Sequence, residues 1–175
     1  MRKVESPFRQ VENTDLTKVK TLIVGLNPGK DEERMDLETS GRNRFVGVAG
    51  KNLREKDYYE GMWNKFGVGE EVFVWNLFDT YSSTEKELKE FSKRDLENAF
   101  FSDYGLGTIM KRLVNLENIV VLGLHAQNFF VGQRRVDKFS NWKSIYFLRH
   151  PSFIHTDKEA KQKIEKALEN PYLSR

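Results

Sequence analysis

Four short segments of the chain are apolar almost throughout, which is typical of strands buried on both faces of a sheet. They are Thr21–Gly25, Val72–Trp75, Ile119–Gly123 and Ser144–Leu148. Strands of this kind are usually parallel and covered by helices on both sides. The pattern therefore predicts a parallel sheet at the centre of the molecule.

Segments with apolar residues at helical spacing lie between these strands. They run from Leu53 to Phe66, from about Glu85 to Phe91 and from Leu106 to Leu116. A last helix is expected to begin at Thr156-Asp-Lys-Glu159, a capping-box pattern, and to end at Asn170-Pro171. The alternation predicts an α/β fold, a three-layer α/β/α arrangement around a short, mostly parallel sheet of about four strands.

The length of 175 residues predicts a single domain over residues 1–175. The sequence contains no cysteine, which excludes disulfides, cysteine nucleophiles, cysteine-ligated zinc and iron–sulfur clusters. The apolar runs are far shorter than the roughly 20 residues that cross a bilayer, and the N-terminal ten residues have no hydrophobic signal core. We therefore expect a cytoplasmic protein with no membrane partner.

The net charge of +3 is small, but it is concentrated. Residues 118–155 carry an excess of four positive charges, from Arg134, Arg135, Lys138, Lys143 and Arg149 against Asp137. Such a stretch is typical of a surface that meets a phosphate-bearing partner, although a solvated basic face has the same composition. Charge alone does not choose between these two interpretations.

Polar residues follow each predicted strand at its carboxyl end. They are Leu26-Asn27-Pro28-Gly29, Asn76, His125 and Arg149-His150-Pro151-Ser152. Open α/β sheets bind ligands at the carboxyl ends of their strands. Two asparagines, two histidines and a loop shaped by glycine and proline are therefore expected to converge on one edge.

The ordered motifs resemble the uracil-DNA glycosylase superfamily over most of the chain. They are Gly25-Leu-Asn-Pro-Gly29, Val74-Trp-Asn76, Leu122-Gly-Leu-His-Ala-Gln127 and His150-Pro-Ser152. The first motif is most similar to the branch specific for uracil and thymine mismatches. The resemblance implies a monofunctional glycosylase of base excision repair that removes uracil, or a related deaminated or 5-modified base, from DNA.

In this family Asn27 and His150 would be the catalytic residues. Asn27 would orient the water that attacks the sugar C1′, and since an amide is no general base the enzyme is expected to be slow. His150 would donate a hydrogen bond to O2 of the departing base anion. The alternatives are a turn residue before Pro28 and a buried histidine bonded to a backbone carbonyl.

The resemblance implies a base-binding set of Leu26, Gly29, Phe45 and Asn76. Asn76 can accept from uracil N3–H and donate to O4, which cytosine does not match; alternatively it caps the next turn. Gly29 would leave space beside C5 for thymine or a larger 5-substituent. Phe45 is the first aromatic candidate for stacking, but its Asn43-Arg44-Phe45 string resembles a helix start, so Met35 is another candidate.

The DNA-binding set is His125, Arg149, Ser152, Phe153 and Ile154. Phe153 and Ile154 would act as an apolar wedge in the base stack, or Phe153 would tuck under the last helix. His125 either approaches DNA or caps a surface helix. The segment from Lys30 to Glu38 has five acids among nine residues, which should repel DNA unless the segment folds away.

The expected partner is DNA, water is the co-substrate, no cofactor or metal is predicted, and the protein is expected to be a monomer. Two hypotheses of different classes remain. One is the glycosylase, and the other is a catalytically weak or silent member that binds nucleic acid or a free nucleobase. An unrelated α/β hydrolase or nucleotide-binding protein is a third, but the sequence has no nucleophile motif.

Overall fold

A computed structural model describes residues 7–28, 30–39, 44–55, 57–82, 85–132, 142–156 and 158–175. Over these ranges one sheet has the strand order β2-β1-β3-β4-β5. The strands are β1 (Thr21–Gly25), β2 (Val72–Asn76), β3 (Asn118–Leu122), β4 (Ser144–Leu148) and β5 (Leu173–Ser174). The first four are parallel and β5 is antiparallel to β4. The four predicted strands are confirmed to within a residue. Strand β5 was not predicted, because its two exposed residues form no apolar run.

The helices alternate with the strands and flank the sheet. They are α1 (Lys30–Thr39), α2 (Val48–Glu55), α3 (Glu60–Phe66), α4 (Glu85–Glu90), α5 (Lys93–Phe100), α6 (Leu106–Ile109), α7 (Leu124–Gly132) and α8 (Ala160–Glu169). Short 3₁₀ helices occupy Val11–Asn13, Leu16–Lys18, Asp57–Tyr59, Met110–Arg112 and Pro151–Thr156. Within the described ranges no helix combines the length and the apolar character that crossing a bilayer requires.

Two apolar layers confirm the α/β/α arrangement. Val24 of β1 faces a cluster that includes Phe100 at the end of α5 and Phe130 of α7. Ile23, the residue before it, faces a second cluster that includes Met62 of α3 and Ile164 of α8. Successive side chains of a strand point to opposite faces, so a continuous apolar run fills both layers.

Two predicted helices are interrupted. The segment from Leu53 to Phe66 breaks after α2, where the Trp63 indole donates to the Leu53 carbonyl at 2.8 Å and so takes one of the free carbonyls at the helix end. The segment from Leu106 to Leu116 ends as a helix at Ile109 and tightens into a 3₁₀ turn. These stretches are correct in position and wrong in length.

The prediction for the start of the last helix is also wrong. Pro151–Thr156 forms a 3₁₀ helix, and α8 begins at Ala160 after Glu159, whose side chain makes no capping hydrogen bond. This tighter path buries Ile154, which is 0% exposed and packs in the same cluster as Ala160 and Ile164. The predicted end of the helix is confirmed, since α8 stops at Glu169.

Candidate active site

A cleft of about 890 Å³ lies at the carboxyl ends of the parallel strands. The strand order reverses at β1, because the chain runs from β1 to β2 on one side and then crosses to β3 on the other. Open α/β sheets bind ligands at such a point. Most residues of the predicted site line this cleft: Leu26, Asn27, Phe45, Asn76, His125, Arg149, His150, Ser152 and Phe153. The predicted role of Gly29 lies outside the described residues.

Asn76, the last residue of β2, is almost fully buried at 3% exposure while it lines the cleft. None of the described residues hydrogen-bonds its side-chain amide, and the capping role that was the alternative has no support among their contacts. Since Asn76 lines the cleft, a ligand there can reach its amide. An amide oxygen accepts and an amide nitrogen donates, so this side chain can form a pair of hydrogen bonds with a polar ligand.

Phe45 lies beside Asn76. A Cβ atom on Gly25 would come within 2.6 Å of Phe45 Cζ and 2.7 Å of Asn76 Oδ1, so the glycine makes room for both side chains. The Phe45 backbone has a positive φ of 58°, which is unusual for a bulky residue and is typical of functional sites. Its carbonyl accepts from Arg54 Nη1 at 3.0 Å. Met35 does not line the cleft, so Phe45 is the better stacking candidate.

The residue before Phe45 is held by a buried ionic network that sequence reasoning missed. The Arg44 guanidinium donates to Asp36 at 3.1 Å and to Asp79 at 2.7 Å, and it lies 4.6 Å from the Trp75 ring centroid. The Tyr81 hydroxyl also donates to Asp36. These contacts join α1 to the segment after β2 and fix the chain directly before the stacking candidate.

The acidic segment from Lys30 to Glu38 is thus not an open loop. It forms most of α1, and two of its acids are buried: Asp36 in the network and Glu32, which accepts from the Val46 backbone N–H at 2.9 Å. Asp31 and Glu32 still line the cleft. The expected repulsion of DNA is therefore reduced rather than removed.

Asn27 follows β1, and its amide nitrogen is fully used. Nδ2 donates to Ser82 Oγ at 2.8 Å, to the Pro28 carbonyl at 2.9 Å and to the Thr80 carbonyl at 3.3 Å. The bond to Pro28 fits a turn residue, whereas the other two tie the first motif to a distant loop. Because Nδ2 is committed to these bonds, Oδ1 is the atom of this side chain that can accept a hydrogen bond from water. Ser82 is a cleft residue that the motifs did not reveal.

His150 follows β4, and its protonation is set by its surroundings. Burial, and to a smaller extent the neighbouring His125, lowers the pKa of His150 to about 4. Nδ1 accepts from the Ser152 backbone N–H at 3.2 Å, so the proton of the neutral ring is on Nε2. The alternative, a histidine bonded to a backbone carbonyl, does not describe this contact. His150 is a neutral donor at physiological pH.

Gly123 and Gln127 of the third motif make contacts that a strand end and a helix start do not by themselves predict. Gly123 has a φ of 89°, and a Cβ atom there would lie 2.9 Å from the Cβ of His150. Gln127 Nε2 donates to the Leu148 carbonyl at 3.0 Å and to the Val121 carbonyl at 3.3 Å. The motif therefore joins the ends of β3 and β4 next to His150.

The loop after β4 is held by hydrogen bonds to its backbone carbonyls and presents an exposed aromatic side chain. Tyr59 Oη donates to the Arg149 carbonyl at 2.6 Å, and Asn52 Nδ2 donates to the Pro151 carbonyl at 2.9 Å. Phe153 is exposed, with its ring centroid 6.0 Å from that of His150. Its exposure agrees with the wedge interpretation and contradicts the one in which it tucks under the last helix.

The prediction that Ile154 binds DNA is wrong, because its side chain is completely buried. His125 is exposed in the first turn of α7, and Arg149 and Ser152 are exposed in the loop. Of the basic stretch, Arg134, Arg135 and Lys138 lie outside the described residues. Lys143 is exposed and pairs with Glu117 at 3.0 Å, so its part in phosphate binding stays a prediction.

Comparison with known proteins adds one finding to this geometry. The family model described as the uracil DNA glycosylase superfamily matches residues 12–171. No curated protein matches the chain significantly.

Proposed function

Because the chain belongs to the uracil DNA glycosylase superfamily, we propose that it hydrolyses the N-glycosidic bond of uracil, or of a related deaminated or 5-modified base, in DNA. Membership of the family supports a DNA glycosylase-type function in general. The finer proposal depends above all on one observation: Asn76, whose side-chain amide makes no hydrogen bond with the described residues, lines the same cleft as Asn27 and His150.

The first step is recognition of the extruded base. Asn76 would accept from N3–H of uracil through Oδ1 and donate to O4 through Nδ2. Cytosine has an acceptor at N3 and a donor at its amino group. In the same pose its N3 would face the acceptor Oδ1 and its amino group would face the donor Nδ2, so neither hydrogen bond could form. A site whose buried polar group needs a partner rejects a base that cannot supply one, because the group would then stay unsatisfied. Phe45 would cover one face of the base.

The second step is attack by water. Asn27 Oδ1 would accept a hydrogen bond from the water and so direct the water oxygen towards C1′, while the bonds of Nδ2 to Ser82 and Thr80 fix the orientation of the amide. Asn27 cannot remove a proton at neutral pH, so the water loses its proton to solvent as the sugar becomes electron-deficient. Asn27 would therefore accelerate the attack only by positioning the water, and the reaction is expected to be slow.

The third step is departure of the base. When the bond between C1′ and N1 breaks, its electron pair stays on the base and the charge spreads to O2. His150 would donate from Nε2–H to that oxygen, and its low pKa means that this donor is neutral at pH 7. A donor that meets charge only as the charge develops is worth about 10²–10³ in rate at comparable sites.

The second candidate function is a catalytically weak or silent protein that binds nucleic acid or a free base. Two observations favour it. The carboxylates of Asp31 and Glu32 line the cleft, and Asn27 provides no general base. The same cleft would then bind a base without cleaving the sugar bond.

Excision from end-labelled oligonucleotides separates the two candidates. Uracil is placed in a single strand, opposite guanine and opposite adenine, and alkali reveals the abasic sites. We expect the wild type to cleave at least one substrate, and His150→Ala and Asn27→Ala each to lose about 10²-fold or more. Asn128→Ala, a change of an exposed asparagine on α7, should keep wild-type rates. DNA binding by the wild type without cleavage of any substrate would favour the silent protein.

A further inference from the structure

Three large apolar side chains are exposed at the mouth of the cleft. Val48 is 65% exposed, Leu124 is 64% exposed and Phe153 is 59% exposed, and all three line the cleft. Single exposed apolar residues are ordinary, but a group of them at the mouth of a polar cleft indicates a contact surface.

Leu124 is the member of this group with no role so far. It is the first residue of α7 and follows Gly123, whose backbone lies against the Cβ of His150. Ala126 of the same helix turn is buried in the core, whereas the Leu124 side chain points away from it. Phe153 is near His150 as well, with a centroid distance of 6.0 Å. Two separate segments therefore present an exposed apolar side chain next to the same histidine.

We propose that Leu124 contacts the base stack of duplex DNA beside the extruded nucleotide, as a second apolar wedge together with Phe153. This inference rests on the proposed function, because it assumes that a nucleotide enters the cleft. Extrusion of a base exposes the faces of the bases on either side, and an apolar side chain that covers such a face recovers part of the lost stacking. Single-stranded DNA has no comparable stack to hold open.

The apolar surface formed by Leu124 and Phe153 is continuous with the cleft, and this continuity indicates that the partner is DNA. The residue after Leu124 is the exposed His125, and Arg149 is exposed at the opposite loop, so a polar and cationic surround frames the apolar pair. This combination suits the base step and the flanking phosphates of a polyanion. It suits an apolar protein partner less well.

The first test compares duplex with single-stranded substrates. Leu124→Ala should lower single-turnover excision from a uracil–guanine duplex by about tenfold, and change excision from a single strand by less than about twofold. Leu124→Met, which keeps the apolar volume, should stay near wild type. Val114→Ala removes a half-exposed apolar side chain that does not line the cleft, and it should leave both rates unchanged. Equal effects of Leu124→Ala on both substrates, or none, would overturn the proposal.

A second readout needs no excision, so it distinguishes failure of this inference from failure of the proposed function. The probe is a duplex with 2-aminopurine next to a tetrahydrofuran abasic analogue opposite guanine. Wild type and Val114→Ala should raise the 2-aminopurine fluorescence as its stacking is lost, and Leu124→Ala should raise it less at saturating protein. If the wild type excises no base but this difference is seen, the wedge stands and the glycosylase does not. Equal signals from wild type and Leu124→Ala, or none from the wild type, overturn the wedge.

Discussion

The backbone of Gly123 lies directly against the side chain of His150. A Cβ atom at Gly123 would come within 2.9 Å of His150 Cβ and 3.3 Å of Cδ2. The Gly123 N–H also donates to the Leu148 carbonyl at 2.9 Å, which ties the end of β3 to the strand that carries the histidine. The glycine therefore sets the place of the proposed leaving-group donor.

Gly123→Ala should reduce excision by at least about tenfold, because the added methyl group displaces His150 and a misplacement near 1 Å costs up to about 10²-fold. The positive φ adds backbone strain of roughly 1–3 kcal/mol. Gly67→Ala is the matched control, since Gly67 has a similar φ of 84° and no atom within 4 Å of its Cβ position. Both variants should lose thermal stability, but Gly67→Ala should keep wild-type excision. Equal excision rates for Gly123→Ala and Gly67→Ala would show that Gly123 does not position His150 for the reaction.

The ring of His150 should titrate near pH 4 rather than at its ordinary value of about 6.5. Its folded pKa lies below its unfolded pKa, so protons favour the unfolded chain, and the stability from the neutral ring is lost as the pH falls from about 6.5 to about 4. The NMR shifts of the ring carbons measure the midpoint. His125→Asn should raise this midpoint, because it removes the electrostatic effect by which His125 lowers the pKa of His150. A midpoint near 6.5 would contradict the burial described above.

Gly25→Ala should impair base binding, because its methyl group would meet both Phe45 and Asn76. We expect excision to fall by about tenfold or more with the fold retained. Gly61→Ala is the control, since its nearest neighbour, Leu168 Cδ1, is at an ordinary 3.5 Å, and an alanine within α3 is favourable by up to about 1 kcal/mol. Unchanged excision by Gly25→Ala would mean that the pocket does not need the observed packing of Phe45.

Arg44→Met should lower the free energy of unfolding by about 3–5 kcal/mol, because it leaves the carboxylates of Asp36 and Asp79 without their buried cation. Urea denaturation measures this loss, and the double variant Arg44→Met/Asp36→Asn should recover part of it. Arg34→Met breaks an exposed pair with Asp31 at 3.9 Å, and it should cost less than about 1 kcal/mol. Similar losses for both arginines would show that the network is solvated.

The strands and their carboxyl ends could be predicted because continuous apolar runs and the polar residues after them are local signals. Asn27, Asn76 and His150 were placed in one cleft by this reasoning alone. Helix α1 has no apolar stripe, and its packing depends on the contacts of Arg44 with Asp36 and with the distant Asp79, which no local pattern contains. The place of Phe45 was open for the same reason, because it depends on a positive φ and on the room at Gly25.

The burial of Ile154 could not be predicted from the sequence. Phe153 and Ile154 are adjacent and both apolar, so the sequence does not say which one faces solvent. The 3₁₀ path of Pro151–Thr156 decides it, with Phe153 at 59% and Ile154 at 0% exposure.

The most direct test of the account is base selectivity at Asn76, measured as free base released from single-stranded oligonucleotides under single-turnover conditions, with detection by mass spectrometry. Single strands remove the cost of extrusion, so the pocket alone is tested. We predict that the wild type releases uracil and not cytosine, and that Asn76→Ala loses uracil release by about 10²-fold, while Asn128→Ala does not. Release of neither base by the wild type, or undiminished uracil release by Asn76→Ala, would contradict the account.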